Sequence, residues 1–274
     1  MIGQKELLDT LSKLQELPKF ILFCGGRGSG KTMLAKEIAR MYGLETIQLG
    51  TSVDDVRTLV QSNYKLQRPT MYLLPNVDNM SLNAKNALLK VTEEPQKGTY
   101  VVMTIEDMNN TLETIKSRAN VYYMGVYTPK EIEEYCNTLG IKDPELYKQV
   151  CFTPGDVNIL KACGGQEFYD FVEKVVDNLD APISNVFKIS DKIALKDDSD
   201  KYDLVMFWKL FIQVCSNRFR DSSKVRFYSE VCFYSECIQV TSKYLALCNN
   251  KSINRGMLLD NWIMEMRNKW MLQD

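Results

Sequence analysis

The stretch from Phe20 to Lys36, FILFCGGRGSGKTMLAK, constrains the fold more than any other part of the chain. Phe20 to Cys24 is a short apolar run of the length of a buried strand. It leads into Gly25-x-x-x-x-Gly30-Lys31-Thr32, the spacing of a P-loop. Met33, Leu34, Ile38 and Met41 then recur at helical spacing, so the spacing predicts a helix that begins inside the motif. Phosphate binding needs this order. Glycines let the backbone turn tightly and aim successive N–H groups at phosphate oxygens, and a helix N-terminus adds positive potential at the same place. The expected binding residues are Gly25, Gly26, Arg27, Gly28, Ser29, Gly30, Lys31, Thr32 and Met33. Lys31 reaches for the terminal phosphates and the Thr32 hydroxyl for Mg²⁺.

A chain of 274 residues is longer than one compact core usually needs, so more than one domain is expected. Net charge is −1, which gives no global basic field for nucleic acid, so any DNA contact must come from a local patch. Eight cysteines stand beside no histidine, and none forms a C-x-x-C pair, so a zinc site is not expected. With no leader ahead of the first expected helix, the thiols read as free and buried in a reducing, cytoplasmic setting. The most apolar segment, Leu204 to Cys215, carries Lys209 and is too short to span a bilayer, so it reads as a buried helix with no membrane role.

Along the chain, a helix is expected from Ile2 to Leu17, then strands at Phe20–Cys24, Thr46–Leu49, Thr70–Leu74, Tyr100–Ile105 and Val121–Met124. Helices follow Thr32, start at the Ser52/Asp55 capping pair, and run from Ser81 to a stop at Pro95. Strands alternating with helices predict an α/β domain with a parallel sheet. After residue 125 the strands stop. Thr128 followed by Pro129 opens a helix, with others at 144–151 and 155–162. Further segments are expected near 182–195, 201–219, 223–249 and 254–272. The expected division is residues 1–124 for nucleotide binding, 125–179 for a small helical lid and 180–274 for an all-α domain.

The run from Ala84 to Pro95, AKNALLKVTEEP, resembles the helix after Walker B in sliding-clamp loaders of the AAA+ superfamily, with Thr92 in place of a leucine. Ile2-Gly3-Gln4 is similar to a segment that packs near the adenine. Val53 to Arg57 resembles the helix before the third strand, Thr114 to Ala119 the T-I-x-S-R-C element, and Thr153 to Asp156 the start of the lid helix. The resemblance covers about residues 2–180 and points to bacterial DNA polymerase III clamp-loader subunits of the gamma or delta-prime type. It implies ATP with Mg²⁺ as cofactors, a ring of AAA+ subunits, a sliding clamp and primed DNA as partners, and a helical collar at the C-terminus.

The resemblance also shows departures. It places Pro75 and Asn76 where an ATPase carries the Asp and Glu of Walker B. Proline has no ligand atom, and an amide is no general base. Ile105 and Glu106 fall at the sensor positions, with Thr104 fitting only after a one-residue shift. Asn158 replaces a lid arginine, and no cysteine lies between residues 33 and 70, so the family's zinc module is missing. Arg118 matches the arginine that acts in trans on a neighbour's nucleotide. The expectation is an ATP-binding, weakly or non-hydrolysing subunit. Arg57 and Lys85 are candidate DNA contacts. A gamma-type motor using Asp78, a small-molecule P-loop kinase and an AAA+ scaffold outside replication are the alternatives.

Overall fold

The computed structural model describes residues 2–62, 68–93, 97–178, 192–194, 202–225, 228–248 and 253–271. These form two compact units. The first holds residues up to Leu139 together with Phe152–Gly155, and the second holds Gly140–Cys151 and residues from Asp156 onward. Residues of the expected lid are divided between the two.

The first unit is a parallel five-stranded sheet in the order β2-β3-β4-β1-β5. Its strands are β1 (Phe20–Cys24), β2 (Glu45–Gln48), β3 (Thr70–Leu74), β4 (Thr99–Ile105) and β5 (Asn120–Tyr123). The helices are α1 (Lys5–Ser12), α2 (Lys31–Met41), α3 (Val53–Ser62), α4 (Leu82–Glu93), α5 (Glu113–Lys116) and α6 (Pro129–Thr138). Strand side chains alternate between the two faces. Phe20, Leu22 and Cys24 of β1 join Tyr72, Leu74, Val101 and Met103 in a core closed by Val56, Leu59, Ala84 and Leu88. Ile21 and Phe23 point the other way, onto Leu11, Leu34 and Ile38. Burial on both faces is why the central strands read as continuous apolar runs.

Local chemistry sets the element ends. The Asp55 amide donates to the Ser52 hydroxyl oxygen at 3.1 Å, while the Ser52 amide donates back to the Asp55 carboxylate at 3.0 Å. Thr128 and Glu131 make the same reciprocal pair, with Pro129 in the first turn of α6. The expected helix from Ile2 to Leu17 is corrected to Lys5–Ser12. Gly3 and Gln4 both have left-handed backbones, at φ 70° and 56°, and a right-handed helix cannot pass through them. The expected helix stop at Pro95 lies outside the described residues.

The second unit contains α7 (Glu145–Val150), α8 (Pro154–Ala162, its first two residues belonging to the first unit), α9 (Gln166–Asp177), α10 (Leu204–Val225), α11 (Tyr228–Leu247) and α12 (Arg255–Met271). The last three correspond to the final three expected segments. The segment expected near 182–195 lies mostly outside the described residues, and its described end, β6 (Ile193–Ala194), is extended and pairs with β7 (Tyr202–Asp203). α9 had no counterpart in the expected layout. The core is aromatic: Trp262 meets the edges of Phe207 and Phe211 at centroid distances of 5.5 and 4.9 Å. Its indole N–H donates to the buried Thr241 hydroxyl at 3.1 Å. Among the described residues, no helix is long and apolar enough to cross a membrane. All eight cysteines are free thiols.

Candidate functional site

The P-loop leaves the carboxyl end of β1, in the middle of the sheet. β4 lies beside β1, with Cys24 paired to Ile105, and β3 lies beyond β4, with Leu74 paired to Met103. Three strand ends therefore open on one edge, carrying the P-loop, residues 104–106 and residues 75–76. The Gly25 amide donates to the Ile105 carbonyl at 3.2 Å, which ties the start of the loop to the end of β4. Gly28 and Gly30 turn the loop with left-handed φ values of 77° and 87°, a conformation that glycine adopts without strain. α2 begins at Lys31, so its unpaired first N–H groups lie inside the motif.

Lys31 is buried, and its ammonium donates to the carbonyls of Gly25 at 2.7 Å and Gly26 at 2.9 Å. Burial pushes the Lys31 ammonium below its usual range, while the carboxylates of Glu106 and Asp78 push it back up. Burial also pushes the Cys24 thiol up. The Ser29 hydroxyl is buried without a hydrogen-bond partner. An orphaned hydroxyl, left-handed glycines and a helix N-terminus fit a polyphosphate. The Gly25–Met33 residues expected from sequence lie between the end of β1 and the first turn of α2, with Met33 largely exposed.

The metal half of the site is poorer. Thr32 offers its hydroxyl, but the end of β3 offers no carboxylate. Asn76 is left-handed, at φ 54°, and its amide donates to the buried Thr104 hydroxyl at 3.0 Å. Thr104 therefore braces the turn after β3. Asp78, on the short 3₁₀ turn Val77–Asn79, accepts the Glu106 amide at 3.1 Å through one oxygen. Its other oxygen is buried with no hydrogen-bond partner. Asp78 and Glu106 are the acids whose charge opposes the lowering of the Lys31 pKa, and no motif drew attention to Glu106 as an acid.

Arg118 lies between α5 and β5, exposed, with its guanidinium donating to the Thr114 carbonyl at 2.9 Å. β5 runs parallel to β1, and Asn120 is paired with Ile21. Arg118 therefore sits beyond the amino edge of the sheet, whereas the P-loop leaves the carboxyl edge. At about 3.3 Å per strand residue, that separates Arg118 from its own P-loop by on the order of 10 Å or more along the strand direction. Lys85 is corrected as a DNA-contact candidate: it is buried, with its ammonium donating to the Asp78 carbonyl at 3.2 Å. Arg57 is exposed and paired with Asp54. Asn158 lies exposed on α8.

Sequence reasoning missed Tyr127. Its buried hydroxyl donates to the Ser29 carbonyl at 2.8 Å, and its ring lies against Gly3 so closely that a Cβ there would come within 2.3 Å. Nearby, the Gln4 side-chain amide pairs with both backbone groups of Gly125, at 2.8 and 2.7 Å. The Ile2–Gln4 segment is thereby fixed beside the P-loop.

A family model described as DNA polymerase III, delta subunit, matches residues 43–126. The DNA polymerase III gamma subunit of Buchnera aphidicola is 26% identical over 177 residues, covering 52% of this chain and 49% of that protein. The delta-prime subunit of Bacillus subtilis is 37% identical over 78 residues, covering 28% of this chain and 22% of that protein. The chain thus spans about half, or less, of the length of these curated relatives. The solved structure of a DNA polymerase III gamma subunit-related protein from Thermotoga maritima covers 96% of this chain and 99% of its own at a TM-score of 0.50. At 15% identity, that likeness speaks for the fold alone. Sheet order, P-loop placement and these matches agree: the chain is related to the AAA+ subunits of DNA polymerase III-type clamp loaders.

Proposed function

We propose that this chain is an ATP-binding subunit of a sliding-clamp loader in DNA replication that hydrolyses ATP weakly or not at all. In this reading it joins other AAA+ subunits in a ring that opens a clamp onto primed DNA, and Arg118 serves a neighbour's nucleotide. The observation that carries it is the combination at one sheet edge of a well-formed phosphate loop with Pro75-Asn76 at the end of β3. The loop supplies amides, a helix N-terminus and the Lys31 ammonium for the phosphates. Mg²⁺, bound through Thr32 and the phosphates, would supply charge neutralisation, but no side chain at 75 or 76 can polarise a water. Arg118 lies far from its own loop, which favours action in trans, where a planar guanidinium stabilises charge on the transferring phosphoryl group.

The test is binding of a fluorescent ATP analogue to the full chain with Mg²⁺, together with steady-state ATPase. Binding is expected in the wild type and is expected to fall sharply in Lys31→Ala. No binding at millimolar ATP overturns the reading. One observation favours a second reading, a self-sufficient motor: Asp78 lies on the turn after β3 and accepts from the amide of Glu106 at the end of β4, which puts two acids at the sheet edge that carries the loop. Turnover of about 1 s⁻¹ or more, within the ordinary enzyme range, would select the motor.

A further inference from the structure

The P-loop is held by its carbonyl oxygens. Those of Gly25 and Gly26 accept from Lys31. The next three are gripped by residues far away in sequence. The Arg27 carbonyl accepts from the Thr153 hydroxyl at 3.3 Å, the Gly28 carbonyl from the Gly155 amide at 3.1 Å, and the Ser29 carbonyl from the Tyr127 hydroxyl at 2.8 Å. All these residues belong to the first unit. Gly28 and Gly155 touch backbone to backbone: a Cβ on Gly155 would approach the Gly28 Cα to 2.4 Å, and one on Gly28 would approach the Gly155 Cα to 2.6 Å.

In a planar trans peptide, the C=O of one residue and the N–H of the next point in opposite directions. Fixing the Arg27 carbonyl therefore aims the Gly28 N–H away from Thr153, and fixing the Ser29 carbonyl aims the Gly30 N–H away from Tyr127. The Ser29 amide is already used within the loop, donating to the Gly26 carbonyl at 3.2 Å. We propose that Tyr127, Thr153 and Gly155 are positioning residues that clasp the P-loop by its carbonyl side and so pre-set its amides for a polyphosphate. The proposal rests on the nucleotide-binding reading above and assigns the lid-helix start a second task beside any contact with phosphate. It also explains why glycine stands at residue 3, where any side chain would displace the Tyr127 ring, and at residue 155.

Two measurements on the full-length chain test the clasp. The first is competition of inorganic tripolyphosphate and of ATP against a fluorescent ATP analogue. Tyr127→Phe keeps the ring on Gly3 and removes only the hydroxyl, and Thr153→Val removes the hydroxyl at nearly constant shape. Both are expected to weaken both ligands, Tyr127→Phe by about 3- to 10-fold, the effect of losing one buried hydrogen bond, and Thr153→Val by less, because its bond to the Arg27 carbonyl is exposed. Thr153→Ser is expected to restore near wild-type affinity. The second is hydrogen exchange of the ligand-free chain. The peptide covering residues 25–33 is expected to exchange faster in Tyr127→Phe and in Gly155→Ala, with peptides from β3 and β4 unchanged. Unchanged exchange at 25–33 in both variants overturns the clasp, whether or not the chain binds nucleotide. So does wild-type affinity for both ligands in Tyr127→Phe and Thr153→Val. A wild type that binds neither ligand, with accelerated exchange in the variants, retains the clasp and refutes the nucleotide reading alone.

Discussion

Removing the Lys209 ammonium tests a largely buried ion pair inside the second unit. Lys209 on α10 donates to the Asp156 carboxylate in the first turn of α8 at 2.7 Å. Their side chains are only 22% and 9% exposed, so solvent screening is slight for the aspartate and partial for the lysine. Removing one partner of a buried pair typically costs 3–5 kcal/mol, and the partial exposure of Lys209 argues for the lower end, about 3 kcal/mol. Lys209→Met keeps most of the stem's apolar contact while deleting the charge. With a urea slope of about 2 kcal/mol per molar, the midpoint should fall by about 1.5 M. The assay is intrinsic fluorescence, which is specific here because the three tryptophans, at 208, 262 and 270, all fall within the second unit. The double variant Asp156→Asn with Lys209→Met should recover much of the loss, since the carboxylate no longer needs a counter-charge. A midpoint shift in Lys209→Met below about 0.3 M, or a double variant as unstable as the two single losses added together, would refute the argument.

Arg118→Ala should leave the fold and this chain's own ATP affinity unchanged, yet lower the DNA- and clamp-stimulated ATPase of the reconstituted assembly. Arg118→Lys should rescue poorly, because an ammonium lacks the planar fork, and full activity with Arg118→Ala would reduce the residue to a loop contact. The capping pair of α3 gives a pH prediction. The Ser52 hydroxyl and amide hold the Asp55 carboxyl below its usual range. Its folded pKa is depressed, so its contribution is present above the ordinary carboxylate value near 4 and is lost as pH falls through the folded value. Ser52→Ala should raise the Asp55 titration midpoint seen by NMR, and an unmoved midpoint would remove the hydroxyl as the cause.

How far the sequence was legible depended on the range of the interactions. β3 runs from Thr70 to Leu74 as the apolar run predicts, because its boundaries are set by residues within it. The cap at Ser52 was legible for the same reason, since its donor and acceptor lie three residues apart, and the start of α6 was legible through Pro129. The left-handed backbone at Gln4 was not, because the side-chain bond that fixes the segment reaches Gly125, 121 positions away. The clasp on the P-loop was equally hidden, joining residues 98 and 126 positions apart. Lys85 shows a different failure. A lysine on a helix beside Asn86 reads as solvated, and only the turn after β3 reveals the carbonyl that it meets. α9 was legible in principle, with Phe168, Val172, Val175 and Val176 buried along one stripe, yet the expected layout held no helix there.

The turn after β3 bears on whether hydrolysis, if lost as we propose, can be regained. Asn76 holds a left-handed backbone, φ 54° and ψ 52°, and is anchored there through its amide by Thr104. Asparagine visits that region readily, whereas glutamate pays about 1–2 kcal/mol for it. Pro75 pins its own φ and lacks an N–H. The two substitutions that would restore the acids are therefore unequal: Pro75→Asp meets no backbone barrier, since aspartate can adopt the φ that proline holds, whereas Asn76→Glu must accept the left-handed turn that Thr104 braces or displace it. The route back to a working acid pair is uphill at residue 76.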